Sequence, residues 1–245
     1  MTSVLDPKVV LVTGASSGIG RATALALSKA GATVAIGGRR TDRLEALAQE
    51  APGEMLVLNM DVSDPESVRK AVERTVERFG TLDIVVNNAG IMLTGAVLDA
   101  DPAEWTRMVE TNLLGSMYTV HAALPHLLRS RGAVVQISST SGRISSAGAA
   151  VYSATKFGVN AFAEALRQEV TEQGVRVVLV EPGFVSTELA DHITDPTRRA
   201  AVKTMAESMR TLQPEDIAAA VVYAVTQPDH VAVNEILVRP TDQTR

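Results

Sequence analysis

The sequence predicts a doubly wound (Rossmann) α/β fold, a parallel seven-stranded sheet with helices on both faces. Three observations predict it. Short apolar runs recur along all 245 residues, longer segments of helical period separate them, and a glycine-rich turn follows the first run. Parallel strands covered on both faces read as nearly continuous apolar runs rather than alternating ones. Strand–helix alternation requires crossover connections, which are right-handed in such sheets.

The expected strands are Val9–Val12, Thr33–Ile36, Met55–Leu58, Ile84–Val86, Val134–Ile137, Val175–Val180 and Glu235–Val238. Helices are expected over 18–30, 41–50, 65–79, 102–130, 152–173 and 214–226. In the fourth of these, Leu113, Met117, Val120, Leu124 and Leu127 alternate spacings of four and three, forming one apolar face. Pro125 interrupts that pattern and should kink the helix or sit in a poorly bonded turn. This number of strands suits a single domain over 1–245, with a cofactor half over about 1–130 and a catalytic and substrate half over about 131–245.

Composition narrows the function classes. With 46% hydrophobic and 21% charged residues, the chain is globular rather than disordered. Aromatics are only 3%, so Ala, Val, Leu and Ile must build the core. A net charge of −5 argues against a nucleic-acid partner. The absence of cysteine excludes disulfides, thiolate metal sites and cysteine nucleophiles, and no metal is expected. The first apolar run, after Lys8, is too short for a signal-peptide core, and no run approaches a membrane span. A soluble cytoplasmic protein is expected.

Ligands of such sheets bind beyond the carboxyl ends of the strands, so chemistry is sought there. After the first strand comes Thr13-Gly14-Ala15-Ser16-Ser17-Gly18-Ile19-Gly20. Its glycines permit positive φ and close approach of a ligand to the backbone. The helix that follows offers free N–H groups and its positive dipole end to a pyrophosphate. No Gly-Lys-Ser/Thr follows, which argues against a nucleoside-triphosphate loop. The plainer reading is a tight turn without a ligand. Asn87-Asn88-Ala89-Gly90 follows the fourth strand, and Ser138-Ser139-Thr140-Ser141 follows the fifth. Thirteen residues after Ser139 stands Tyr152-Ser153-Ala154-Thr155-Lys156, which puts Tyr and Lys one helical turn apart on one face.

In this order, TGASSGIG, NNAG, the serine loop and YSATK resemble the short-chain dehydrogenase/reductase family, with the likeness running from Lys8 to about Pro240. The stretches NNAGIM, NLLGSMYT, ALPHLLRS and RPTDQ are similar to an actinomycete branch of it that contains clavulanic-acid-forming dehydrogenase. The resemblance implies a catalytic set of Asn112, Ser139, Tyr152 and Lys156. It implies a cofactor held by Gly14, Ser16, Ser17, Gly18, Ile19 and Gly20. Asp61 and Val62 would stand at its adenine, and Asn88 and Gly90 beside the adenine ribose. Pro182, Gly183, Val185 and Thr187 would meet the nicotinamide end. It further implies a mobile lid over 188–212, a substrate pocket of Met92, Leu93, Arg143, Ile144 and Ala147, and assembly as a homotetramer or dimer. Phe157, Ala161 and Ala165 are the outward candidates on the assembling helix.

The chemistry explains these residue types. A hydride arriving at a carbonyl carbon leaves an alkoxide that needs a proton. A tyrosine hydroxyl can donate it, but its ordinary pKa of ~10 is far above neutrality. Positive charge from Lys156 lowers that value, so Tyr152 can serve as general acid in reduction and general base in oxidation. Ser139 would hydrogen-bond the substrate oxygen where charge builds up. By resemblance, Lys156 and Tyr152 also contact the cofactor, Lys156 at the nicotinamide ribose, and Asn112 holds a water linking Lys156 to solvent.

Plainer readings stand beside these. Tyr-x3-Lys is common on helix surfaces, Ser139 can simply turn the chain, and Ser138 is its rival. Asn112 can be a helix-start residue, Asp61 can cap the helix near Asp64, and His192 can be a surface residue. All of them together point to an NADP(H)-dependent oxidoreductase acting on a small carbonyl or alcohol substrate, with ketone or aldehyde reduction favoured. The alternative is a non-catalytic NADP-binding sensor or scaffold, which need not keep all four catalytic types.

The cofactor choice is read at AIGGRRTDR, residues 35–43. An acid at position 38 would bind two ribose hydroxyls and repel a 2′-phosphate. Gly38 leaves room instead, and the Arg39 guanidinium can pair with that phosphate and stack beside adenine. Arg40 and Ser16 are secondary contacts. NADP(H) is therefore expected over NAD(H).

Overall fold

The computed structural model describes residues 4–244. In chain order its regular elements are β1 (Val9–Thr13), α1 (Gly18–Lys29), β2 (Thr33–Gly38), α2 (Thr41–Glu50), β3 (Met55–Asn59), α3 (Pro65–Phe79), β4 (Ile84–Asn87), α4 (Pro102–Met108), α5 (Gly115–Ser130), β5 (Ala133–Ile137), α6 (Ala150–Val170), β6 (Arg176–Pro182), α7 (Pro196–Glu207), α8 (Pro214–Val225) and β7 (Glu235–Val238). The strands pair in parallel in the order β3-β2-β1-β4-β5-β6-β7, so the winding reverses between β1 and β4. A crevice opens at the carboxyl ends of the strands at such a switch point.

Side-chain alternation along each strand feeds two apolar layers. From β1, Val10 and Val12 enter one layer with Leu27, Leu44, Ile217 and Val221. Val9 and Leu11 enter the opposite layer with Val68, Val72, Val120, Leu127 and Leu166. Aliphatic residues thus fill both faces, as the low aromatic content requires. Helix starts are cut sharply: Asp64, Asp101 and Asp195 accept backbone N–H bonds at the starts of α3, α4 and α7, and each is followed by Pro at the first helical position.

The helix expected over 102–130 is two helices joined by a π-helical stretch, Val109–Leu114. The α-helical run continues through Pro125 to Ser130, so the irregularity lies upstream of the proline. Its buried face also differs. Val120 and Leu127 are buried and Leu113 and Leu124 pack partly buried against the same core, but Gly115, Ser116, Thr119 and Ala123 make up the rest of the buried face. Small residues let α5 come close: a Cβ on Gly115 would meet Val62 Cγ2 at 2.9 Å. Helix α7 lies inside the expected lid; Asp195-Pro196 marks its start, but none of its residues is buried and no apolar stripe marks its length. Among the described residues, no helix is long and apolar enough to cross a membrane.

Candidate active site

A cavity of about 690 Å³ runs along the carboxyl edge of the sheet. Gly38 and Arg39 line it at the end of β2, Asp61 and Val62 after β3, and the glycine loop after β1. Asn88 and Gly90 follow β4 into it, then Ser139, Tyr152 and Lys156, then Pro182, Gly183, Val185 and Thr187 after β6. The volume lies in the range of small-molecule and cofactor sites.

The glycine loop is built for close approach. Gly14 and Gly18 have φ of 64° and 52°, and a Cβ on Gly14 would meet the Ala89 backbone Cα at 2.7 Å. Gly20 does not line the cavity; a Cβ there would run into the Gly14 carbonyl oxygen at 2.4 Å, so it serves packing. Asn88 Nδ2 donates to the carbonyls of Thr13 and Gly14 at 3.0 and 3.1 Å, while Thr13 Oγ1 accepts from the amides of Asn88 and Ala89. The ends of β1 and β4 are thereby tied together at the switch point. The first turn of α1 holds no acidic residue, unlike α3, α4 and α8, so its positive end is left uncompensated. Glycine backbone, uncompensated helix start and an elongated cavity fit a dinucleotide.

The two arginines hold different partners. Arg40 donates through Nε and Nη2 to Ser16 Oγ at 3.1 and 2.9 Å, and through Nη2 to Ser17 Oγ at 2.7 Å. Arg39 is 71% exposed and reaches Asp61 only at 3.9 Å. Gly38 is not demanded by the fold: the nearest neighbour of an added Cβ would be Leu44 Cδ1 at 3.6 Å, an ordinary contact. Gly37 is different, since a Cβ there would meet Met60 Sδ at 2.7 Å. Asp61 does not cap α3, a task taken by Asp64. Burial raises its pKa, but hydrogen bonds from Ser63 and the Arg39 charge outweigh this and hold it below its ordinary value.

Further along the cavity, α6 presents Tyr152 and Lys156 inward, both buried. Ser139 and Tyr152 line the same cavity; burial pushes the Tyr152 phenol up to about 12, with Ser139 opposing. Burial pushes Lys156 down to about 8. Its Nζ donates to the Ile137 carbonyl at 2.9 Å and lies 5.9 Å from the Tyr152 ring centroid. The rival Ser138 donates to Asn160 Oδ1 at 2.5 Å instead.

Asn112 sits in the π-helical stretch, a distortion that gathers at functional sites. Its Oδ1 accepts from the Ile91 amide at 2.8 Å, and its Nδ2 donates to the Ile91 carbonyl and to Thr155 Oγ1. It does not line the large cavity. With Lys156, Asn87 and Gln136 it lines a separate one of about 10 Å³, near the size of one water. Asn87 Oδ1 and Gln136 Nε2 are buried there without a hydrogen-bond partner.

Of the expected substrate pocket, Met92 lines the cavity, whereas Leu93, Arg143, Ile144 and Ala147 do not. Leu93 packs in a small core with Met108, and Ile144 is exposed. The Arg143 side chain turns away because Glu181, fully buried at the end of β6, accepts from its Nε at 2.6 Å. Glu181 also accepts from Asn160 Nδ2 at 2.8 Å, so a polar chain Ser138–Asn160–Glu181–Arg143 lies behind the Ser139 turn. Sequence reading missed Asn160 and Glu181; the available signal was a carboxylate closing the apolar run of β6. The lid segment contributes Glu188, His192, Val202, Lys203 and Met209 to the cavity wall. Partial desolvation, then the Arg40 and Arg39 charges, hold His192 below its ordinary pKa.

A doubly wound parallel sheet with a glycine loop at its switch point and a Ser–Tyr–Lys cluster on the same edge defines a Rossmann-fold oxidoreductase. The chain belongs to the short-chain dehydrogenase family, whose model, described as short chain dehydrogenase, matches residues 8–198. An uncharacterized oxidoreductase of Staphylococcus saprophyticus is 36% identical over 248 residues, with 100% of both chains covered. An alcohol dehydrogenase from the archaeon Thermococcus sibiricus, solved with 5-hydroxy-NADP, superposes with a TM-score of 0.87 at 32% identity, over 98% of this chain and 99% of that one. The closed form of a serine dehydrogenase complexed with NADP+ gives a TM-score of 0.89 at 33% identity, over 97% and 96%.

Proposed function

We propose that the protein is an NADP(H)-dependent reductase of small ketones or aldehydes, running in reverse as an alcohol dehydrogenase. The observation that carries this reading is that Ser139 and the buried Tyr152 and Lys156 line the same cavity as the glycine loop. When bound, the nicotinamide supplies or takes the hydride at the substrate carbon. Tyr152 gives its phenolic proton to the substrate oxygen in reduction and takes it back in oxidation. Ser139 donates a hydrogen bond to that oxygen as charge grows on it. The Lys156 ammonium lowers the barrier to proton loss from Tyr152 by stabilising the phenolate. Asn112 holds the wall of the water-sized cavity beside Lys156, which supports a relay that reprotonates the site. Gly14, Ser16, Ser17, Gly18 and Ile19 would hold the pyrophosphate, and Pro182, Gly183, Val185 and Thr187 the nicotinamide end.

Arg39 and Arg40 beside a sterically open Gly38 support NADP(H) over NAD(H). The NADP-bound state of the two solved neighbours agrees with that choice. Exposed Phe157, Ala161 and Ala165 on α6 support assembly into a homotetramer through that helix. The purified protein should consume NADPH, followed by its absorbance, with members of a panel of ketones and aldehydes. No turnover across a broad panel, with NADPH still bound, would favour a sensor instead.

A further inference from the structure

We propose that Glu188 is an internal competitor for the cofactor's 2′-phosphate: its carboxylate occupies Arg40 and Arg43, and the phosphate takes Arg40 from it. The inference rests on the reading that Arg39 and Arg40 face that phosphate. Glu188 Oε2 accepts from Arg40 Nη1 at 2.9 Å, and its two oxygens accept from Arg43 Nη1 at 2.8 and 2.9 Å. The same Arg40 holds Ser16 and Ser17 through its other nitrogens. Ser16 Oγ in turn lies 3.8 Å from where a Gly38 Cβ would stand. A carboxylate therefore sits on the guanidinium group that adjoins the position deciding between ribose hydroxyls and ribose phosphate. Hydrogen bonds from Arg40 and Arg43 hold the Glu188 carboxyl below its ordinary pKa, so it is charged at neutral pH.

The chain just before Glu188 lies over the glycine loop. A Cβ on Gly18 would meet Thr187 Cγ2 at 3.1 Å, and Thr187 Oγ1 caps the short turn Glu188–His192. The segment that opens the expected lid is thus tied at Glu188 to the arginines and at Thr187 to the start of α1. Magnitudes allow exchange. Arg40 and Glu188 are 41% and 45% exposed, and ion pairs that wet are individually weak. A phosphate monoester brings about −1.5 to −2 charge and three acceptor oxygens to the same guanidinium, against one charge and two oxygens from Glu188. The phosphate wins Arg40, and Glu188 with its turn is released. A cofactor without the phosphate leaves the pair in place.

The test is calorimetric titration of the whole chain and of Glu188→Gln with adenosine 2′,5′-bisphosphate, adenosine 5′-phosphate, NADPH and NADH. Removing the competing charge should tighten the two 2′-phosphate ligands by roughly two- to tenfold and change the other two by less than about twofold. Unchanged or weaker binding of adenosine 2′,5′-bisphosphate overturns the competition, as does an equal gain for adenosine 5′-phosphate. If the unmodified chain shows no preference for 2′-phosphate ligands, the cofactor reading fails and the competition with it. If that preference is intact and Glu188→Gln is not tighter, the competition alone fails.

Discussion

Lys156 donates from the second turn of α6 to the carbonyl oxygen of Ile137, the last residue of β5, at 2.9 Å. One hydrogen bond thus fixes the ammonium group between the serine turn that follows β5 and the tyrosine one helical turn back. Burial makes that position expensive for a charge, and it holds Lys156 down to about 8.

This has a consequence for stability. The unfolded chain keeps the Lys156 proton up to its ordinary value of 10.5, while the folded chain gives it up near 8. Between these values the unfolded state binds more protons, so stability rises with pH through that window. The penalty is absent above it and complete below it. In Lys156→Met the urea midpoint should lose this rise between pH 8 and 10, relative to the unmodified protein. Parallel curves for the two proteins would contradict the burial of a charged lysine.

Gly38 gives a prediction about specificity. Since an added Cβ would meet only ordinary contacts, Gly38→Asp should fold normally. Its carboxylate would stand beside Ser16 and repel a 2′-phosphate. Combined with Arg39→Ile, the ratio of kcat/KM for NADPH to that for NADH should fall by roughly ten- to a hundredfold. An unchanged ratio would remove Gly38 and Arg39 from the cofactor reading.

Glu181 is expected to matter for stability and for the serine turn together. Glu181→Ala leaves Asn160 and Arg143 without the fully buried carboxylate that pairs them. The loss should be roughly 2–4 kcal/mol in urea unfolding, moderated because Arg143 is partly exposed and also bonds Glu235. A change within about 0.5 kcal/mol, the size typical of surface substitutions, would show that the chain of polar groups carries little.

Much of this was legible in the residues. Parallel strands announce themselves because both faces are covered, and all seven were found within two residues of their ends. The glycine loop was legible because backbone clearance constrains it, and Tyr152 and Lys156 because helical pitch sets them on one face; Ser139 was implied by the family resemblance. What escaped depends on distant partners. The π-helical stretch around Asn112 has no periodicity of its own to read, and α7 buries no stripe. The resemblance puts Arg143 at the substrate, and the partner that turns it away, Glu181, lies 38 positions off; nothing local marked Arg40 rather than Arg39 as the arginine on Ser16. The small residues Gly115, Ser116, Thr119 and Ala123 that complete the buried face of α5 escaped because its close approach to Val62 sets them.

The central claim is that Tyr152 moves the proton, and Tyr152→Phe tests it most directly. The phenyl ring keeps the packing and removes only the hydroxyl. Steady-state turnover of a carbonyl substrate should fall by about 10²–10⁴-fold, while NADPH titration of the same preparation gives an unchanged Kd. A variant that turns over at a rate close to that of the unmodified protein would contradict the mechanism.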